Sequence, residues 1–395
     1  MPIIKANATT EARMMRSNKV VILYRYIPQY RLEFYKRLYK LCENKGIDLH
    51  VIYGDPSKSE KTKGDSVSFD RGNFVKNRYF SFGHTELIWQ PVLGLTRSAD
   101  LVIVEQANKL LINFPLVLRQ LCGNQRICFV GHGRNFQATK RHRLSELLKK
   151  SLIRTPHWWF AYTSRVANLV EAAGFPADRV TIYNNAIDTY ALSALRREIT
   201  EDELRGFAAQ IGVTSKNVCL FVGGIYSEKR ISFLLDVCER LRTRIPDFQM
   251  IVVGGGPDDF LVRNFNQKHP WLIFTGPLVG REKVKCFMLS KLMLMPGLVG
   301  LAVLDTFALE VPLITTNVPY HSPEIDYLES GTNGIIVSPF DDADCYAAKV
   351  AEFLLDEQKR LKLVAGCRSS APIYTIEKMA DLFCDGIVQA LATQR

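Results

Sequence analysis

Short apolar runs rich in β-branched residues alternate with helical patterns along almost the whole chain, and this alternation restricts its folding more than any other feature. Repeated strand and helix units of this kind build parallel sheets covered on both faces by helices. In the first half the strand candidates are Val20–Tyr24, Leu49–Tyr53, Leu101–Val104, Ile127–Val130, Phe160–Thr163 and Val180–Tyr183. In the second half they are Val218–Val222, Met250–Val253, Leu272–Thr275, Leu292–Met295, Leu313–Thr316 and Gly334–Val337. The pattern predicts two doubly wound α/β domains in succession.

A chain of 395 residues exceeds what one ordinary core serves, so length agrees with two domains. Residues 1–18 lack a continuous apolar stretch and read as a loose leader rather than an export signal. The N-terminal domain is expected over 19–190 and the C-terminal one over 191–372. From Asp188 to about Ser215 the chain is polar and helical, as a hinge and first helix would be. Residues 373–395 carry apolar side chains at helical spacing with no strand after them, and are expected to pack back on the first domain.

No segment offers the roughly 20 uninterrupted apolar residues of a spanning helix, since the run from Leu110 is broken by Asn113 and Pro115. The nine cysteines stand singly in apolar surroundings, with no Cys-x-x-Cys pair, and read as reduced core thiols of a cytoplasmic protein. Charge is uneven. Residues 1–190 hold 29 Lys and Arg against 15 Asp and Glu, whereas the rest holds 22 against 25. A basic first half calls for an anionic partner. Nucleic acid is not expected, because no aromatic and basic binding motif accompanies the charge. The helix Lys140–Arg154 could instead lie on an anionic membrane surface, making the protein peripheral, or be a solvated face.

Two segments carry the chemistry. The run from Leu220 to Leu235 passes from a buried strand through Gly223 and Gly224 into a helix. Free N–H groups and the helix dipole at such a turn favour an anion. Lys229 and Arg230 at the helix start gain nothing from that dipole, and a bound diphosphate would explain them. The run from Met295 to Thr316 repeats the scheme. There Gly297 and Gly300 permit close backbone approach to a ligand, and Asp305 could accept two ribose hydroxyls.

These blocks resemble the donor site of glycosyltransferase family 4, whose fold is GT-B: two Rossmann-like domains. Members usually read Gly-Arg-Leu, then Glu-Lys-Gly, then Glu-x7-Glu. Here Gly223-Gly-Ile and Glu228-Lys-Arg stand for the first two, and Gly297 with Asp305 falls at the third. Supporting blocks are the run from Tyr183 to Thr189, Gly254-Gly255-Gly256, Gly276-Pro277-Leu278, Ser322-Pro-Glu-Ile and Asn333-Gly334. The family's usual arginine is Gly224, so Arg230 would stand in for it beside Lys229.

The resemblance implies a retaining, metal-independent glycosyltransferase without a cofactor, using a UDP- or GDP-linked sugar as donor. Lys229 and Arg230 would neutralise the diphosphate and Asp305 would hold the ribose. Gly223, Gly224, Gly255, Pro277, Leu278 and Thr306 would line the donor site. The turn Gly297, Leu298, Val299, Gly300 and Leu301 would meet sugar and phosphates in place of the missing glutamate. His132, between two glycines at a strand's C-terminal edge, would meet the donor sugar. Gln29, Tyr30, Arg31, Glu105 and Arg134 are expected on the acceptor side, with Arg31 able to hold a phosphate. The acceptor would be a saccharide, for example one linked to a polyprenyl diphosphate at a membrane's inner face, in cell-surface polysaccharide synthesis. A noncatalytic sugar-nucleotide-binding subunit, or a GT-B epimerase or phosphorylase, are the alternatives. Asp342 and Asp344, although spaced as a metal pair, open a helix and read as capping.

Overall fold

The computed structural model describes residues 17–61, 66–82, 85–107, 109–132 and 153–394. Arg134, most of the basic stretch from Lys140 and nearly all of the leader lie outside the described residues.

The chain divides into two compact units. The N-terminal one closes at Tyr183 and takes up the chain again from Met379 to Arg395, while the other runs from Asn184 to Lys378. In the first unit the strands are β1 (Asn18–Tyr24), β2 (Ile47–Tyr53), the two-residue β3 (Asn73–Phe74), β6 (Leu101–Glu105), β7 (Ile127–Gly131), β8 (Trp158–Ala161) and β9 (Val180–Ile182). They form one sheet in the order β3-β2-β1-β6-β7-β8-β9, parallel throughout. A separate antiparallel ribbon, β4 (Arg78–Phe82) with β5 (Thr85–Trp89), has no counterpart in the predicted strand set. Strand β8 begins two residues earlier than the apolar pattern suggested. Trp158 and Trp159 are buried in it, and Thr163 instead precedes the helix α3 (Ser164–Ala172).

The second unit repeats the plan with β10 (Val218–Val222), β11 (Gln249–Val253), β12 (Leu272–Gly276), β13 (Leu292–Met295), β14 (Leu313–Thr316) and β15 (Gly334–Val337). Their order is β12-β11-β10-β13-β14-β15. Counted within each sheet, both units therefore begin 3-2-1-4-5, and the order reverses between the first strand and the fourth. Such a switch point opens a crevice at the carboxyl ends of the strands. All five residues of β10 and all five of β11 are buried, as helices on both faces require.

The helices follow the apolar period. In the first unit α1 (Leu32–Asn44) buries Phe34, Tyr35, Leu38 and Cys42, and α2 (Asn113–Leu121) follows β6. In the second, α4 (Thr189–Glu198) and α5 (Glu201–Ile211) fill the stretch without strands, and α6 (Ile231–Arg244) follows β10. Next come α7 (Asp259–Lys268), α8 (Gly280–Met288), the seven-residue α9 (Ala302–Ala308), α10 (Ala343–Leu355) and α11 (Glu357–Ser370). The last helix, α12 (Ile376–Ala392), returns to the first unit. Its Phe383 stacks on Phe160 at 4.3 Å and meets Phe34 and Tyr183 edge-on. Asp342 caps α10 by accepting the Cys345 N–H, and Asp344 pairs with Arg240 at 2.6 Å. The nine cysteines are free thiols, most of them buried. No helix among the described residues is long and apolar enough to cross a membrane.

Candidate functional site

At the switch point of the second sheet, the turns after β10, β11, β12 and β13 meet backbone to backbone. The Gly223 N–H donates to the Val253 carbonyl and the Ile225 N–H to Gly255, at 3.1 and 2.9 Å. A Cβ on Gly254 would stand 1.9 Å from the Gly223 carbonyl oxygen, so any side chain there would drive the two turns apart. Gly255 in turn lies against the Pro277 ring, 3.2 Å from where its Cβ would be. The glycines predicted to line a donor site thus have a packing role in their own right.

The turn after β10 leads through a short 3-10 helix, Ser227–Lys229, to Arg230, which adopts a left-handed conformation with φ 57°. For a residue with a Cβ this costs about 1–3 kcal/mol. The bend parts two neighbouring cations. Lys229 turns inward and is 6% exposed, with Nζ donating to the Leu298 carbonyl at 2.5 Å and lying 3.4 Å from the Met295 sulfur. Among the described residues no carboxylate pairs with it. Burial brings the Lys229 ammonium down to about 8, against a weaker pull upward from the Glu228 carboxylate. Arg230 instead lies 4.1 Å over the Phe233 ring and donates to the carbonyls of Phe340 and Pro296. Of the two, Lys229 is the one placed beneath the glycine turn.

The turn after β13 is fixed residue by residue. Leu298 donates its N–H to the Glu228 carbonyl at 2.8 Å. Val299 donates its N–H to Nδ1 of His321 at 3.0 Å and accepts the Ser322 N–H with its carbonyl. The same imidazole donates from Nε2 to the Thr316 carbonyl at 2.7 Å, and these two bonds together select one tautomer. Val299 therefore has no N–H left for a ligand. The N–H groups of Gly300, Leu301 and Ala302 have no partner among the described residues, as expected where a helix begins.

Asp305, on α9, is 6% exposed and receives Nζ of Lys283 from α8 at 3.0 Å. Thr306 is fully buried and donates to the Val303 carbonyl, so its hydroxyl serves α9 itself. Leu298 and Val299 are buried as well, leaving their side chains in the core. The loop after β14 adds a buried carboxylate. Glu324, 3% exposed, accepts from the Asn185 amide at 2.5 Å, while the Asn185 carbonyl accepts from the Tyr327 hydroxyl. That network ties the chain just past Tyr183 to the second unit.

Sequence reasoning singled out Lys229, Asp305 and the turn Gly297–Leu301; the structure sets Lys229 against that turn through the Leu298 carbonyl, and Asp305 in the helix α9 that follows it, bonded to Lys283. Sequence reasoning missed Lys283 and His321. Lys283 is one lysine on an otherwise ordinary helix, and His321 follows a tyrosine in a turn, so neither carries a local signal.

In the first unit the corresponding switch point lies between β1 and β6. Glu105, at the end of β6, pairs with Arg25 at 2.8 Å, and Arg25 also reaches Glu60. Gln29, Tyr30 and Arg31 form a single 3-10 turn with the first two exposed and Arg31 buried. His132, exposed at the end of β7, packs its ring 4.4 Å from that of Tyr162, which meets Tyr183 at 5.4 Å. Burial pushes the Tyr162 hydroxyl well above its ordinary range, so it stays a donor.

Comparison with known proteins bears on the fold and on the second unit. Residues 216–356, within the second unit, match the family of glycosyl transferases group 1. An alpha-D-kanosaminyltransferase of Streptomyces kanamyceticus is 25% identical over 214 residues, 51% of this chain and 51% of that enzyme. The chain thus aligns with about half the length of this curated relative. Among solved structures, Anabaena HepE in complex with UDP superposes with a TM-score of 0.70 at 12% identity, over 94% of this chain and 99% of HepE. Sucrose-phosphate synthase from Thermosynechococcus elongatus gives 0.69 at 12% identity, over 95% and 100%. The fold is that of GT-B glycosyltransferases.

Proposed function

We propose that the protein is a retaining glycosyltransferase, similar to family 4, that transfers a sugar from a nucleoside diphosphate sugar to a saccharide or lipid-linked saccharide acceptor. The observation that carries this reading is Lys229: a buried cation, paired with no carboxylate among the described residues, under a turn that offers free N–H groups. An isolated buried charge is costly unless a counter-charge arrives. A diphosphate is such a counter-charge, and the crevice lies where doubly wound sheets bind nucleotides. UDP in the structure of HepE, and UDP with GlcNAc in that of a pneumococcal O-GlcNAc transferase of the same fold, fit a UDP-linked donor.

In this reading Lys229 and the N–H groups of Gly300, Leu301 and Ala302 stabilise negative charge as it develops on the leaving diphosphate. Preorganised donors of this sort supply most of the barrier reduction when the leaving group departs as an anion. Asp305, steadied by Lys283, accepts the ribose hydroxyls, and Pro277 with Leu278 borders the nucleoside. Arg230 supports the turn through the Pro296 carbonyl. The acceptor binds the basic N-terminal unit, with Glu105 and His132 at the ends of its central strands. The enzyme works at the inner face of a membrane, held there peripherally.

The absence of an acid at residue 297 favours one other reading, a subunit that binds the sugar nucleotide without turning it over. Thermal-shift screening against UDP, GDP and their sugars, repeated on Lys229→Ala and Asp305→Ala, tests the donor site. Stabilisation by one nucleotide that both substitutions abolish is the expected result. No response from a folded protein would sink the reading. Hydrolysis of the donor by the wild type would then exclude the noncatalytic subunit.

A further inference from the structure

Arg31 is 3% exposed, yet its hydrogen-bonding partner among the described residues is the thioether of Met379, at 3.6 Å. A guanidinium carries five N–H donors and a thioether sulfur is a weak acceptor. The nearby carboxylate of Glu105 is already engaged by Arg25. What surrounds Arg31 is aromatic. Its guanidinium carbon lies 5.3, 5.9 and 5.8 Å from the ring centroids of Tyr30, Phe34 and Tyr162, and Tyr24 and Tyr183 stand within electrostatic reach. Ring faces offset part of the cost of burying a cation, about 2 kcal/mol at the upper end. An unpaired buried ion costs several kcal/mol, so the balance is left open.

We propose that Arg31 is the seat of a phosphate-binding site in the N-terminal unit, which takes a phosphate group of the acceptor. The inference rests on the transferase reading for the word acceptor, and on Arg31 alone for the anion. The turn Gln29–Arg31 follows β1, at the switch point of its sheet, where ligands of doubly wound sheets bind. The planar fork of arginine matches two phosphate oxygens at once. The excess of positive charge in residues 1–190 draws an anion toward the same unit.

Thermal stability and equilibrium binding in phosphate-free buffer test this, with pyrophosphate and with farnesyl diphosphate in dilute detergent as probes, and glucuronate at matched ionic strength as the carboxylate control. Because pyrophosphate would also meet Lys229, the titrations are made on Lys229→Met, with and without Arg31→Met. Pyrophosphate is expected to stabilise the single variant by several degrees and the double variant not at all. Arg31→Met is also expected to melt no lower than its parent without any anion, since it removes an uncompensated charge. Arg31→Lys, which keeps the charge, should weaken pyrophosphate binding at least tenfold and covers the case in which the methionine variant fails to fold. Farnesyl diphosphate binding much tighter than pyrophosphate would mark a lipid-linked acceptor, and equal binding a soluble phosphorylated one. A pyrophosphate response that survives loss of Arg31, or a response to glucuronate alone, would overturn the proposal. UDP on the wild type tests the donor site separately: a chain that answers UDP but not pyrophosphate overturns this inference and leaves the donor reading standing.

Discussion

A Cβ on Gly297 would stand 2.2 Å from the carbonyl oxygen of Glu228 and 2.5 Å from the carbonyl carbon of Lys229. The obstacle is backbone, held by the Leu298 N–H bond to that same Glu228 carbonyl, so it cannot swing aside as a side chain would. The family 4 pattern that this stretch resembles carries a glutamate at the corresponding place. In this chain the turns after β10 and β13 have closed onto each other there, and Lys229 is buried beneath them.

Placing an acid at residue 297 should therefore harm the protein. Gly297→Ala is expected to cost about 1–3 kcal/mol through overpacking. Gly297→Glu should cost more and weaken UDP binding. Chemical denaturation alongside UDP titration reads both, and a gain of donor affinity in Gly297→Glu would refute this account of the turn.

The depressed Lys229 gives a pH signature. With its folded value near 8 against an ordinary 10.5, the unfolded chain binds the extra proton between those limits. Stability should thus rise with pH across that window, and the penalty of about 3 kcal/mol should be fully present below pH 8. Lys229→Met should remove the slope and be the more stable protein at pH 7. UDP favours the charged lysine, so its binding near pH 9 should take up a proton. Calorimetry in buffers of different ionisation enthalpy would detect it.

Lys283 and Asp305 should behave as a coupled pair. Lys283→Met leaves a buried carboxylate without its cation and is expected to destabilise by about 1–3 kcal/mol. Adding Asp305→Asn should restore part of that stability while UDP binding stays lost. Additive effects in the double-mutant cycle would show that the 3.0 Å contact contributes nothing.

His321→Phe should strip the Val299 N–H and the Thr316 carbonyl of their shared partner. Each buried group left unpaired costs about 1–3 kcal/mol. The expected outcome is a lower melting temperature together with weaker UDP binding, because the turn that carries Gly300 and Leu301 loses its brace. An unchanged UDP affinity would confine His321 to stability.

Much of this could be read along the chain. Strands β10, β13, β14 and β15 lie where the apolar runs placed them, because a strand covered on both faces reads as a nearly continuous apolar run. The ribbon β4–β5 escaped because its apolar residues form no long run, with Phe80 44% exposed although Ile88 is buried. The glycines after β10, β11 and β13 also stand out in sequence, since a Cβ is excluded wherever two backbones touch. Sequence thus determined the two runs of strands and the glycine turns that end several of them, which depend on local periodicity and on glycine. Only the tertiary structure decided what those turns hold. Lys229 and Arg230 are neighbours with the same charge, yet one is buried beneath the glycine turn and the other lies on Phe233, because a single left-handed residue separates their directions. The sequence offers Arg31 as a cation able to hold a phosphate, and only packing against Tyr30, Phe34, Tyr162 and Met379 shows it to be buried without a counter-charge. Burial and pairing are properties of the whole fold, and no spacing along the chain encodes them.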